Sequence, residues 1–350
     1  MAMRRGGRLG IVVVVLAAMM VLAPPSYACA CGAAIAPAGA QATMNHEVAL
    51  VHWDGTAENI LMQVAMNTST DNVALVVPTP TPATVSAGDK AAFSELEELS
   101  SPHIQHQRHL RLKMLLGARY SAAHEGAMAA ARAPEVINQV HLGPLEATTL
   151  AGGDLAGLQQ WLADNGYAIR PEVAEALDPY VRDGWAFVAM RLTSAAPIQG
   201  GLDPVRLTFR SSQLVYPMRL SVAAQEPQHV TIFTLSDHRQ QRTDADVSGQ
   251  TTTVQFAGNI GQSVHESLLR EFAGNHGAYL TKTQTDIYQT SKITSDFIFA
   301  NAPNDDAFRQ VVVVNDYIDI PIELIVLAAI VIAVVAVVIV LLLRTRRVHP

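Results

Sequence analysis

From Ile322 to Leu343 the chain reads IELIVLAAIVIAVVAVVIVLLL, with one charge, Glu323, at its edge. At 1.5 Å rise per residue, a helix of this length crosses the roughly 30 Å hydrocarbon core of a bilayer. A helix packed in a soluble domain needs one apolar stripe, whereas this run is apolar on every face. Residues 322–343 therefore read as a transmembrane helix, and Pro321 suits its first turn. Arg344, Arg346 and Arg347 follow it; Asp316, Asp319 and Glu323 precede or open it. Basic residues stay on the cytoplasmic side. The expected topology is a large N-terminal domain outside, one crossing of the cell membrane, and residues 344–350 as a basic cytoplasmic tail.

The other end agrees. MAMRRGGR is followed by LGIVVVVLAAMMVLAPP and SYACA. A short basic segment, an apolar stretch of about 14 residues and small residues beyond it form the pattern of a secretory signal. Pro24 and Pro25 end the run too early for a full span. Residues 1–28 are expected to be a cleaved signal, with Ser26 and Ala28, or Ala28 and Ala30, as the small pair at the cut. The chain's two cysteines, Cys29 and Cys31, lie here. Outside the membrane thiols tend to oxidise, yet a Cys-X-Cys ring is strained. Two ligands without a nearby His do not complete a zinc site. A lipidated cysteine would want Leu or a similar residue three positions earlier, where Ser26 stands. A local disulfide, free or trimmed thiols, and a lipid attachment remain the three readings.

Residues 29–321 form the expected extracytoplasmic domain, with a possible internal boundary near 194–204 in SAAPIQGGLDP. Of 24 basic and 31 acidic residues, 18 and 30 fall inside it, a net charge of about −12 with neutral histidines. That balance argues against general nucleic-acid binding. Apolar alternation predicts strands at 46–53, 60–66, 73–77, 185–192, 205–209, 214–222, 230–235, 251–256 and 278–285. Pro78 to Pro82 should stop the third of these, since proline lacks a ladder donor. Helical spacing is expected after Asp89 through Leu99, over 104–133, over 154–165 with Gly166 as its stop, over 171–181 and over 264–272. The sum is an α+β fold of mainly antiparallel strands, with helices bunched in the first half and one C-terminal transmembrane helix.

Several stretches, taken together, resemble a known family. A small residue with Cys-Gly after a signal precedes ALVVPTPTPATVSAGDKAAFSELEELSSP. LAGLQQWLADNGYAIRPEVAEALDPYVRDGWAFVAMRLT and LDPVRLTFRSSQLVYPMRLS follow in that order. They resemble the bacterial domain-of-unknown-function family 2330 over roughly residues 29–315. The resemblance implies a secreted or membrane-anchored envelope domain and supplies no catalytic residues. The His- and Arg-rich stretch after residue 102 has no counterpart in it.

Candidate chemistry is sparse. His103, His106 and His109 recur every third residue, a spacing that on a helix can share a metal or form a solvated face. Arg108, Arg111, Lys113, Arg119 and Arg132 make a basic island, a candidate contact for anionic lipid, wall polymer or an acidic partner. DADVSG places Asp244, Asp246 and Ser248 at alternate positions before Gly249, like the start of a calcium loop. Its twelfth position is Gln255 rather than Glu, and a hairpin loop explains the same residues. Glu175, Asp178 and Asp183 lie close in sequence, but paired carboxylates need a cleft to act. Asn67-Thr68-Ser69 fits a glycosylation acceptor. There is no Gly-X-Ser-X-Gly elbow, His-Glu-X-X-His, phosphate loop or dinucleotide fingerprint. The expectation is a non-enzymatic envelope protein without cofactor, binding the membrane and an envelope protein or polymer. A tethered hydrolase with a site assembled from distant residues is the alternative.

Overall fold

A computed structural model describes residues 32–113, 146–150, 155–193, 197 and 199–345. In chain order the longer strands are β1 (Ala42–Trp53), β2 (Ala57–Thr68), β3 (Asn72–Thr79), β4 (His103–Lys113), β5 (Ala186–Thr193), β6 (Val205–Arg210), β7 (Gln228–Ser236), β8 (Thr251–Asn259), β9 (Tyr279–Ile287) and β10 (Val311–Pro321). The helices are α1 (Lys90–Leu99), α2 (Leu155–Asp164), α3 (Pro171–Arg182), α4 (Ser267–Ala273) and α5 (Ile322–Thr345). Contacts divide the described residues into two compact units, those of 32–101 with 146–309, and those of 102–113 with 310–345.

The first unit is layered. Its larger sheet runs Phe308–Arg309, β8, β9, β7, β1, β2, β6 and Thr84–Ala87, antiparallel except for β7 against β1; Gln199–Gly201 also pairs with β2. A four-stranded sheet of Ala33–Ile35, β3, β5 and Glu146–Leu150 lies over it. Period-2 alternation explains why β3 reads as one apolar run. Val73, Leu75 and Val77 face the larger sheet's Ile60, Met62 and Ile232. Ala74 and Val76 face the other way, against Leu158 and Leu162 of α2 and Leu177 and Tyr180 of α3. A strand buried on both faces has no polar positions to spare. Beyond the larger sheet, Leu50, Leu61, Phe233 and Leu280 pack on Ala92, Phe93 and Leu96 of α1 and on Leu269 and Phe272 of α4. The order is helices, small sheet, large sheet, helices.

Local signals act where expected. Asp89 caps α1, its carboxylate accepting from the Ala91 N–H at 2.8 Å. Gly166, at φ 82°, ends α2. The α+β class with mostly antiparallel strands and one C-terminal apolar helix holds, but the other helices are not confined to the first half, since α4 lies in the second.

Three local expectations are corrected. β3 runs through Pro78 to Thr79, because the strand Ala33–Ile35 on one side ends opposite Val76, so no ladder donor is needed there. The strand expected over 214–222 stops at Tyr216; Pro217 intervenes, and Arg219–Ala223 is a 3-10 turn. The helix expected over 104–133 is, in its first part, the strand β4; residues 114–133 lie outside the described ones. Pairing with β10 along the whole strand, from His103 opposite Val311 to Lys113 opposite Pro321, overrides a weak local helical preference.

In the second unit β4 and β10 form a two-stranded parallel ribbon, and β10 passes directly into α5. Over Ile322–Leu342 that helix is long and apolar enough to cross a membrane, and its side chains are exposed along its length.

Candidate functional site

The first unit carries a cleft of mixed polar and apolar lining assembled from turns at one end of its sheets. The β1–β2 hairpin supplies Trp53, Asp54 and Gly55. Gly55 takes φ 93°, and the Asp54 carboxylate closes the turn by accepting from Thr56 N–H and Ala57 N–H at 2.9 and 2.7 Å. The Ala57 hydrogen bond in particular holds the Asp54 carboxyl below its ordinary range. The residues after β6 supply Ser212 and Gln213, the end of β7 supplies Ser236, Asp237 and His238, and the α4–β9 turn supplies His276. Together they line a cavity of about 400 Å3. A second cavity of about 520 Å3, lined by Trp185, Pro80, Thr81 and Arg210, shares Gly55, Ser212 and Gln213 with the first. The half-buried Trp53 ring is fixed by its indole N–H, which donates to the Ser211 carbonyl at 2.9 Å.

Two histidines of the first cavity, His276 and His238, are each paired with an aspartate; Asp237 also lines the cavity, whereas Asp305 lies outside its lining. His276 Nδ1 donates to Asp237 at 2.6 Å, and His238 Nδ1 donates to Asp305 at 2.8 Å. The hydrogen bonds to these carboxylates raise both imidazoles above the ordinary histidine range. Asp305 is lowered in turn, chiefly by His238. With Nδ1 committed to a carboxylate, Nε2 is the nitrogen left for a ligand, the arrangement used to orient a general base.

His276 is held in an uncommon conformation, φ 60°. Its neighbours impose it. The Asn275 N–H donates to the Phe272 carbonyl at 2.9 Å, and the Asn275 carbonyl accepts from His52 Nε2 at 2.6 Å. The His52 ring stacks on Phe272 with centroids 4.3 Å apart. A Cβ on Gly277 would lie 2.4 Å from the Phe272 carbonyl oxygen, so only glycine lets the chain pass. Burial keeps the His52 imidazole neutral by lowering its pKa, and the carbonyl it faces fixes its proton on Nε2.

Asp244, Asp246 and Ser248 take different directions. Asp244 is fully buried and grips Arg242 with two bonds of 2.7 and 2.9 Å. Asp246 turns to the Thr294 N–H and hydroxyl at 2.8 and 2.6 Å and to the Ser295 N–H at 3.0 Å. Ser248 is exposed on a 3-10 turn. Asp183 accepts from Arg219 at 2.8 Å, Glu175 lines a separate cavity of about 350 Å3 near Arg219, and Asp178 is exposed. Among the described residues no group of three or more His, Cys, Asp or Glu is arranged to hold a metal ion.

His103, His106, His109, Arg108, Arg111 and Lys113 all lie on β4 and are exposed, so the histidines alternate faces instead of sharing a helix stripe. Cys29, Cys31, Arg119, Arg132, Arg346 and Arg347 lie outside the described residues, and of Arg344 only the helical backbone is described. The His–Asp pairs escaped sequence reading because their members are 39 and 67 residues apart. The dipeptides Asp237-His238 and His276-Gly277 at strand ends were the available signal.

The family model for an uncharacterized protein conserved in bacteria (DUF2330) matches residues 25–300. The chain belongs to that family. No curated protein matches it. Among solved structures, baculovirus P35 is similar at 8% identity and TM-score 0.33, covering 77% of this chain and 97% of that one. A mutated baculovirus P35 after caspase cleavage gives 8% and 0.31, covering 77% of this chain and 100% of that one.

Proposed function

We propose that this member of the family is a single-pass, membrane-anchored envelope protein. In this reading residues 29–321 lie outside the cell, residues 344–350 inside, and the outer domain binds an extended, hydroxyl-rich envelope polymer without turning it over. One observation carries the binding role. The two cavities meet at Gly55, Ser212 and Gln213, combine a largely apolar lining with amide, hydroxyl, carboxylate and imidazole groups, and are flanked by one indole each, Trp53 and Trp185. Indole faces pack on the apolar faces of sugar rings while amides, hydroxyls and carboxylates take their hydroxyls. The anchor is supported by the helix Ile322–Leu342 and by the arginines that follow it.

The test uses the full-length chain in lipid nanodiscs and soluble fragments of the cell-wall glycan. Tryptophan fluorescence should change saturably on titration, and Trp53→Ala or Trp185→Ala should weaken binding about tenfold, the scale of a buried aromatic anchor. Binding indifferent to both substitutions refutes the trough. Orientation is tested by protease added to intact cells, which should shave the bulk of the chain.

The tethered hydrolase remains a second reading, favoured by one feature: the His276–Asp237 pair held at a left-handed residue. Strained residues concentrate where a side chain must be aimed. If the glycan is cleaved, and His276→Asn abolishes cleavage while binding persists, this reading replaces the first.

A further inference from the structure

The β4–β10 ribbon is poorly satisfied as it stands. Parallel strands normally lie inside sheets covered on both faces, and two strands alone are marginal in water. Here every residue of β4 is exposed, and among the described residues neither strand has a second neighbour. One face is apolar at both ends, with Ile104, Leu110, Leu112, Val314, Ile318 and Ile320 on the even-numbered positions of both strands, and carries His106, Arg108 and Asp316 across its middle. The opposite face carries the polar ladder in which Arg111 and Lys113 hold Asp319 at 2.8 and 3.2 Å and His109 meets Asn315 at 2.9 Å.

The two edges differ in charge. β4 carries Arg108, Arg111 and Lys113, and β10 carries Asp316 and Asp319. Asp316 is taken by His106 at 2.9 Å, so Arg108, in register with Asp316, makes no ion pair among the described residues. Direction is set as well. β10 enters α5 without a break, so every copy anchored in one membrane sends both strands toward it.

We propose that the ribbon is a self-association surface whose occupant is a second copy of this chain. The β4 edge of one copy pairs in parallel with the β10 edge of the next, Arg108 meets the neighbour's acidic strand, and these even-numbered faces turn to a common axis. A head-to-tail contact of this kind closes into a ring about the membrane normal. Unpaired edges are templates for such addition, and opposite charges set which edge meets which. The proposal rests on the membrane anchor above and not on the binding trough.

The experiment uses full-length protein in lipid vesicles, with Cys29→Ser and Cys31→Ser removing the native thiols. One batch carries Gln105→Cys and a second, differently tagged, carries Val313→Cys. A short bismaleimide should link the two tags, because Gln105 and Val313 are in register within one copy's ribbon and a ring symmetric about the membrane normal keeps them at the same height across the proposed contact. Arg108→Asp in the first batch should cut the linked product about tenfold, and Asp316→Arg in the second should restore it. Restoration shows that both chains still fold. Linkage indifferent to Arg108, or no linkage from chains that resist alkaline carbonate, overturns the proposal. So does linkage that appears only when a different envelope protein is added. Chains released by carbonate overturn the anchor and this proposal with it.

Discussion

Breaking the Arg242–Asp244 pair tests the core most directly. Both side chains are essentially inaccessible, 1% and 0% exposed. The guanidinium donates twice to Asp244, reaches Gln250 at 2.9 Å and Thr252 at 3.1 Å, and lies 3.6 Å over the Phe297 ring. Asp244→Asn preserves shape and removes the negative charge, leaving a cation buried without a counter-ion. Such a loss costs about 3–5 kcal/mol. For a domain of roughly 250 residues the unfolding entropy is about 0.5 kcal/mol/K, so the midpoint should fall by about 6–10 °C. Near-ultraviolet circular dichroism of the full-length chain in detergent reads this directly, since α5 stays helical there. Arg242→Met with Asp244→Leu should recover most of the loss, because an apolar pair needs no desolvation. An Asp244→Asn midpoint within about 2 °C of wild type, or a double variant as damaged as the single, refutes the reasoning. The same loop matched the opening of a calcium site. With its carboxylates engaged by Arg242, Thr294 and Ser295, millimolar calcium should leave the wild-type midpoint unmoved, and a rise would overturn that assignment.

Glu58 is wholly buried, and burial raises its carboxyl pKa well above the ordinary value, although it accepts from the Val215 N–H at 3.0 Å. A folded pKa above the unfolded one gives stability that is complete below the unfolded value, near pH 4, and is lost as pH rises through the folded value. Glu58→Gln should therefore flatten the fall in denaturation midpoint between pH 4 and neutrality; an unchanged slope counts against it. In an NMR titration His238 and His276 should protonate above free histidine, through their hydrogen bonds to Asp305 and Asp237, and His52 and His46 below it, through burial. Asp237→Asn should return His276 toward the free value, and its failure to do so would sink the pair. Gly277→Ala should destabilise by about 1–3 kcal/mol and shift the His276 resonances, because its methyl meets backbone at Phe272.

Much of the fold was legible because it obeys local periodicity. The run 322–343 needed only length and apolarity to read as a span, and the Asp89 cap and Gly166 stop needed only nearest-neighbour chemistry. The strands of the core repeat every second residue whatever they pair with. Pairing itself is non-local, and there the reading broke. HIQHQRHLRLK has no decisive preference, and β10, some 200 residues on, makes it a strand. Likewise no pattern joins His276 to Asp237 or His238 to Asp305.

Residue order alone therefore determined the family, the α+β class and the apolar helix at the carboxyl end, each being a matter of spacing along the chain. Tertiary structure decided which turns converge into the trough, that Asp244 serves Arg242, and that the basic island is one strand of a parallel ribbon. Those outcomes depend on distances through space between residues far apart in sequence, set by how buried layers pack and by strands finding partners.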